Sequence, residues 1–353
     1  MTVVNGAVRF SRLLSLAALA ACAGQDPSKP ATQTEPPSAP LIESQSPAGF
    51  PLGTIVERAP PENRLTEPRA QLGKRLFFDP RLSRDGEVAC ATCHEQGFAF
   101  AEADRVSTGV DQLQGTRNAP ALLNLAWGES FFWDGRARSL EEQAGQPIEN
   151  PIEMDLSLSE AVMRVTAEPS YVEAFAEAYS SAPSEESLRR ALASFVRTLV
   201  SSDSPYDRHL RGDDAAFGAA EARGEALFLS EKAGCFHCHP AGMLTNEGFF
   251  NNGSYDGGED TGRALFTARS GDIGKFKVPG LRNIENTAPY MHDGSIPTLE
   301  AVIEQYDRGG RGDPNTDPQI VPLALTADEK ADLLAFLRSL SDPAVLVDRR
   351  YQP

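Results

Sequence analysis

The chain has 353 residues, 41% hydrophobic and 24% charged, enough apolar material for two packed domains. Its formal net charge of -17 leaves no basic face to displace counterions from a polyanion. That excludes nucleic-acid binding as the main function and favours partners that carry a basic patch.

The N-terminus carries Arg9 and Arg12 and then the apolar run LLSLAALAA over 13–21, too short to span a bilayer as a helix and typical of an export signal. The run ends LAAC, which resembles a bacterial lipobox, so Cys22 is expected to be the acylated first residue of a mature lipoprotein and 1–22 its signal peptide. Residues 23–64 are polar and proline-rich with no helical or strand period, and read as a disordered spacer.

Beyond the spacer the punctuation is helical. LTEPRAQLGKRLFF predicts a helix capped by Thr66 with Leu72 and Leu76 on one face, and SEESLRRALASFVRTLV one capped by Ser184 with Leu188, Leu192, Phe195 and Leu199 inward. TLEAVIEQYDRGG, residues 298–310, reads as one short helix and its stop, with Leu299, Val302, Ile303 and Tyr306 on one buried stripe. TADEKADLLAFLRSL carries a capping box from Thr326 to Glu329. With no run of alternating strands, the fold is expected to be mainly α, with long Gly-rich loops such as EGFFNNGSYDGGEDTG.

Two segments share one pattern. GKRLFF from Gly73 precedes CATCH at Cys90, and GEALFL from Gly224 precedes CFHCH at Cys235. Each is a helix followed by C-x-x-C-H, which implies a duplicated module. The junction is expected near 201–214, dividing the chain into an N-terminal domain over 65–203 and a C-terminal domain over 204–353.

In C-x-x-C-H, two thiols can form thioethers with the two vinyl groups of one haem while the adjacent histidine reaches the iron. Cys90, Cys93 and His94 would hold one haem c, and Cys235, Cys238 and His239 a second. Structural zinc would need the two cysteine pairs closer together, a disulfide framework suits a smaller and cysteine-richer chain, and a thioredoxin-like site needs a βαβ setting. Only His209, His237 and His292 remain, and no histidine lies between His94 and His209, so the first module has no local imidazole to close its haem. His209 reads as a surface residue and Trp127 as packing. A tyrosine at position 306 would, by itself, pack its ring in the core and hydrogen-bond its hydroxyl.

The two C-x-x-C-H modules, together with FFDPRLSRDG, NAPALLNLAWGESFFWDGRARSLEEQAGQPIENPIEM, SFVRTLVSSDSPYDR and LRNIENTAPYMHDGSIPTLEAV, resemble the bacterial di-haem cytochrome c peroxidase and MauG superfamily over roughly residues 60–340. The resemblance implies two cytochrome c-like haem domains in tandem. It places Gln143, Pro147 and Glu153 in the distal pocket of a peroxide-reactive first haem, and Trp133 between the haems. Asn118, Thr287 and Pro289 fall on the family's inter-haem calcium site, where a hard cation would take their oxygens and waters.

The peroxidases of the superfamily place a methionine fourteen residues after the histidine of HDGS. Counting from His292, this chain has Tyr306, so it resembles the MauG- and MbnH-like branch with an axial tyrosine. A hard anionic phenolate lowers the reduction potential where thioether raises it. The loop STGVDQLQGTRNAP also lacks the histidine that commonly blocks the first haem of the peroxidases, so that haem is expected to be open without reductive activation.

Beside the lipid anchor expected at Cys22, the resemblance implies a periplasmic enzyme that uses hydrogen peroxide to form a high-valent di-haem state and oxidises aromatic residues of a partner protein by long-range electron transfer. The first rival is a peroxidase reducing hydrogen peroxide to water with electrons from a small cytochrome c or cupredoxin. A non-enzymatic di-haem electron carrier is the other, and it would need both irons six-coordinate.

Overall fold

The structure, a computed structural model, describes residues 59–353. The export signal, Cys22 and most of the expected spacer lie outside the described residues. The spacer's last residues are packed rather than free: Pro61–Asn63 form a 3-10 turn, and buried Asn63 donates to Glu141 Oε1 at 2.6 Å and to the carbonyl of Arg190 at 3.0 Å.

The chain is mainly helical. In order the helices are α1 (Glu67–Phe77), α2 (Cys90–Cys93), α3 (Leu140–Glu149), α4 (Leu158–Thr166), α5 (Pro169–Tyr179), α6 (Glu185–Thr198), α7 (Pro205–Leu210), α8 (Ala219–Phe228), α9 (Ala264–Thr267), α10 (Leu299–Asp307) and α11 (Ala327–Ser339). Among the described residues one two-stranded sheet, β1 (Phe249–Phe250) against β2 (Phe276–Lys277), is antiparallel with Phe249 opposite Lys277. β1 lies where only Gly-rich loop was expected. The helix starts follow their caps: Ser184 and Thr326 both form capping boxes, and Thr298 accepts from the Ala301 N–H. Thr66 is the exception, since it precedes α1 without a side-chain cap bond. Among the described residues no helix is long and apolar enough to cross a membrane.

The repeat legible at the cysteines extends through the packing. α1 crosses α6 at Gly73, where a Cβ would fall 1.9 Å from the Ala191 carbonyl oxygen, and α8 crosses α11 at Gly224, where it would fall 2.0 Å from that of Asp332. Beside each crossing two phenylalanines meet in nearly the same way: Phe77 and Phe195 at 5.0 Å and 58°, Phe228 and Phe336 at 5.0 Å and 56°. Each half also has a buried left-handed asparagine that staples a connection to the end of its long helix. Asn124 exchanges side-chain hydrogen bonds with the backbone of Ser201, and Asn283 does so with Asp342.

Two apolar cores result. One gathers α1, α3, α4, α5 and α6, and the other gathers α8, α10 and α11. The C-terminal tail returns to the first: Tyr351 packs on Phe100 and donates to the Thr198 carbonyl at 2.8 Å.

Candidate active site

Both C-x-x-C-H motifs sit on single turns, α2 and the 3-10 turn Cys235–His237, so the two thiols of each are brought to one side of a tight backbone. His94 Nδ1 lies 2.9 Å from the Phe100 carbonyl, and His239 Nδ1 lies 2.7 Å from that of Leu244. A carbonyl can only accept, so each Nδ1 carries the proton and each Nε2 keeps the lone pair that a metal needs. Burial favours the neutral ring, lowering the pKa of His94 and taking that of His239 down to about 4.

The four cysteines are free of disulfides. Burial pushes Cys90, Cys93 and Cys235 up to about 12, with Cys238 raised too, so these are neutral thiols. Nucleophilic or zinc-bound cysteine requires the opposite shift. Thioether attachment to a porphyrin suits such a thiol, because it removes the ionisable proton.

Each motif opens on its own cavity. The first, about 740 Å³, is lined by Cys90, Cys93, His94, Trp133, Gln143, Pro147 and Glu153, together with apolar side chains such as Leu122, Phe131 and Leu192. Gln143 and Pro147 come from α3, and Glu153 from the turn that follows it. Glu153 is held from two sides. Asn150 Nδ2 donates to its Oε1 at 2.5 Å, and its backbone carbonyl accepts from the Val110 N–H at 2.9 Å. Gly109 makes this approach possible, since a Cβ there would lie 2.4 Å from the same carbonyl oxygen. Burial raises the pKa of Glu153, opposed by the Asn150 hydrogen bond and the charge of Arg136. The carboxyl is therefore poised to hold or release a proton at higher pH than a solvated glutamate.

The second cavity, about 240 Å³, is lined by Cys235, Cys238, His239, Asn252, Met291, His292, Val302 and Tyr306. The stripe expected on α10 lines this cavity as a whole, with Leu299 and Ile303 buried and Val302 and Tyr306 half-buried. Tyr306 Oη accepts from Asn252 Nδ2 at 3.0 Å. Burial pushes the phenol up to about 12, so without a cation it stays protonated, whereas a bound cation would reverse that preference.

The helices that cross the two cavities are counterparts. Pro147 is the eighth residue of α3 and Tyr306 the eighth of α10. Isolated bridges pair Phe131 with Ala137 before α3 and Tyr290 with Ile296 before α10, so Trp133 and His292 occupy equivalent turns.

Trp133 lines both cavities, as do Asn118, Pro279 and Arg282. Its indole donates to the Asn118 carbonyl at 2.9 Å, and its own carbonyl accepts from the Lys277 N–H at 2.7 Å. Asn118, Thr287 and Pro289 line the second cavity together. Asn118 donates through its amide nitrogen to the Asp104 carbonyl at 3.0 Å, which commits the nitrogen and not the oxygen. Among the described residues no group of three or more His, Cys, Asp or Glu is arranged to hold a metal ion.

His209 and His237 contribute to neither cavity lining. His209 is half-buried and stacks on Phe217 at 4.4 Å, and exposed His237 bonds Glu231. Trp127 is buried. Sequence reasoning missed Asn150, Gly109 and Asn252, and also Arg117, whose bidentate pair with Asp260 ties the loop before Asn118 to the second half. Asn150 stands three residues before Glu153, a spacing that could have signalled it. The others act through contacts remote in sequence.

A family profile described as di-haem cytochrome c peroxidase matches residues 67–215, and one described as RoxA-like, cytochrome c-like matches residues 276–311. The chain is 42% identical to methylamine utilization protein MauG of Methylorubrum extorquens, over 81% of this chain and 82% of that protein. It is 34% identical to cytochrome c551 peroxidase of Pseudomonas aeruginosa, over 78% of this chain and 80% of that one. The crystal structure of a MauG-like protein associated with microbial copper homeostasis superposes with a TM-score of 0.82 at 36% identity, covering 86% of this chain and 98% of that one.

Proposed function

We propose a function from this premise: the chain belongs to the di-haem cytochrome c peroxidase family, which includes MauG, and is a haem-dependent oxidoreductase acting on peroxide. Haem c fits both cavities by the chemistry of the donors, a pair of neutral thiols beside a neutral, oriented imidazole at each. In this reading Cys90, Cys93 and His94 hold one haem and Cys235, Cys238 and His239 the other. When bound, haem supplies the redox equivalents that peroxide cleavage and electron transfer require.

The finer reading is a MauG-type enzyme. The first cavity receives hydrogen peroxide, Gln143 orients it, and Glu153 takes the proton from one peroxide oxygen and returns it to the departing one. Pro147 has no donor atom to offer an iron, so the first pocket stays open. Tyr306 supplies a phenolate to the second haem, Trp133 lies on the route between the pockets, and Asn118, Thr287 and Pro289 hold calcium. The substrate is a tyrosine or tryptophan of a partner protein, oxidised at a distance in the periplasm, where Cys22 tethers the chain by lipid. The observation that carries this reading is the replacement of Pro147 in one pocket by Tyr306 at the equivalent place in the other. The level of identity to cytochrome c551 peroxidase favours a second reading, peroxide reduction to water with electrons from a small cytochrome c or cupredoxin.

The test is retention of oxidising power. Holoprotein is mixed with one equivalent of peroxide, residual peroxide is destroyed with catalase, and a one-electron reductant is titrated in. The MauG-type reading expects two equivalents to be recovered after a delay, with slow turnover on reduced cytochrome c. Rapid turnover on reduced cytochrome c with no stored equivalents would favour the second reading.

A further inference from the structure

The segment Asn251-Asn252-Gly253-Ser254 follows β1 in the connection from His239 to Asn283, which is longer than that from His94 to Asn124 in the first half. It is fastened to the end of α10 on both sides of Tyr306. Gln305 Nε2 donates to the Gly253 carbonyl at 2.9 Å, and the Arg311 N–H donates to the same oxygen at 2.9 Å. Gly253 has φ +75, and a Cβ there would lie 2.7 Å from the Gly310 Cα, so the contact admits only glycine.

Within this clasp the Asn252 amide has one orientation. Its Oδ1 accepts from the Ser254 N–H at 3.1 Å and from the Ser254 hydroxyl at 2.6 Å. With the oxygen taken, the NH2 group faces the second cavity, where it donates to Tyr306 Oη at 3.0 Å and meets the Met291 sulfur at 3.3 Å. One amide thus holds two possible iron ligands, an oxygen and a thioether, both in the lining of the cavity that His239 shares. Met291 itself sits at φ +74, a backbone region that non-glycine residues seldom occupy.

We propose that Asn252 is a positioning residue that decides the ligand of the second haem: it sets the Tyr306 oxygen as the donor and ties the Met291 thioether back from the iron. The inference rests on the reading of Tyr306 as a ligand and adds what selects it. Hydrogen bonds to a ligating atom fix its direction and tune its donation, and exchanging an anionic oxygen for a thioether raises the reduction potential.

The variants Asn252→Asp and Asn252→Leu are made in the di-haem holoprotein. The aspartate keeps the acceptor that Ser254 binds but exchanges the donor for a charged oxygen, and the leucine removes the donor without adding charge, so a change common to both variants reports the lost donor. Electron paramagnetic resonance, the thioether-to-ferric charge-transfer absorption and the midpoint potential of the second haem are read, with Tyr306→Phe as reference. Both variants are expected to lose the wild-type low-spin signal, gain the thioether band and shift to a higher midpoint, and Met291→Leu added to Asn252→Asp should abolish the band. Unchanged spectra and midpoint in both Asn252 variants, with Tyr306→Phe altered, would overturn the proposal and leave Tyr306 a ligand. A new signal that survives Met291→Leu would also overturn it. An unaltered Tyr306→Phe would remove the premise and the proposal together.

Discussion

The first and second pockets share a helix crossing at a glycine, a phenylalanine pair, a stapling asparagine and a histidine oriented by a backbone carbonyl. They differ in what the next helix presents. α3 brings Gln143 and Pro147 to a pocket that also holds Glu153, whereas α10 brings Val302 and Tyr306. A carboxyl able to carry a proton and an amide stand beside a residue with no ligand atom in one, and a phenol oxygen stands beside an apolar residue in the other. A duplicated module can thus divide labour by exchanging side chains on one helix while its packing stays fixed. In the proposed reading the first pocket would carry the chemistry and the second would store or pass charge.

The largest effects should come from removing what makes one pocket unlike the other. Glu153→Gln keeps the shape and removes the proton carrier, so the reaction with peroxide should slow by about 10²–10⁴-fold in stopped-flow absorbance, with the spectrum of the second haem unchanged. An unaltered rate would make Glu153 a structural acid. Cys90→Ala with Cys93→Ala should leave a protein with one covalent haem, and Cys235→Ala with Cys238→Ala the complementary one, each read by haemochrome assay and intact mass. Loss of both haems from either variant would show that the halves do not assemble independently.

A smaller effect concerns pH. Burial raises the pKa of Glu153, so its carboxylate forms at higher pH than that of a solvated glutamate. If the carboxylate accepts the proton from peroxide, the rate should fall as pH drops through that raised value, and Glu153→Gln should flatten this acid limb. The sign for stability is the reverse: a raised carboxyl favours folding while protonated, and that contribution is lost as pH rises through the folded value.

The smallest effects test the shared frame. Gly73→Ala and Gly224→Ala would each gain about 1 kcal/mol of helix propensity, yet the added methyl would overlap a carbonyl oxygen, and overpacking of this kind costs about 1–3 kcal/mol or more. Both variants should therefore unfold at lower denaturant, and by similar amounts. A stabilised Gly224→Ala beside a destabilised Gly73→Ala would break the equivalence of the two crossings.

Much of this frame was legible in the sequence because its determinants are local. The helix starts at Ser184 and Thr326 are written as caps, and each haem site is compressed into five residues. The matched phenylalanine pairs were not legible, because Phe77 meets Phe195 and Phe228 meets Phe336 only after the helices cross. The candidate distal residues were reached through resemblance: nothing local to Glu153 distinguishes it from Glu149, which is exposed. Asn252 was invisible for a further reason. NNGS reads as part of a Gly-rich loop and lies in one, but its hydrogen bond to Tyr306 depends on how the end of α10 folds back against it. The last residues of the supposed spacer were misjudged because proline-rich composition does not reveal that Asn63 finds Glu141 and Arg190.

The central claim is that the first haem is open beside Pro147 and the second is closed by Tyr306. Electron paramagnetic resonance of the diferric holoprotein, before and after addition of azide, tests it most directly when wild type and Tyr306→Phe are compared. The account predicts one high-spin signal that azide converts and one low-spin signal that it leaves untouched, with the low-spin signal lost in Tyr306→Phe. Two low-spin signals that azide does not change, or a low-spin signal that persists in Tyr306→Phe, would contradict it.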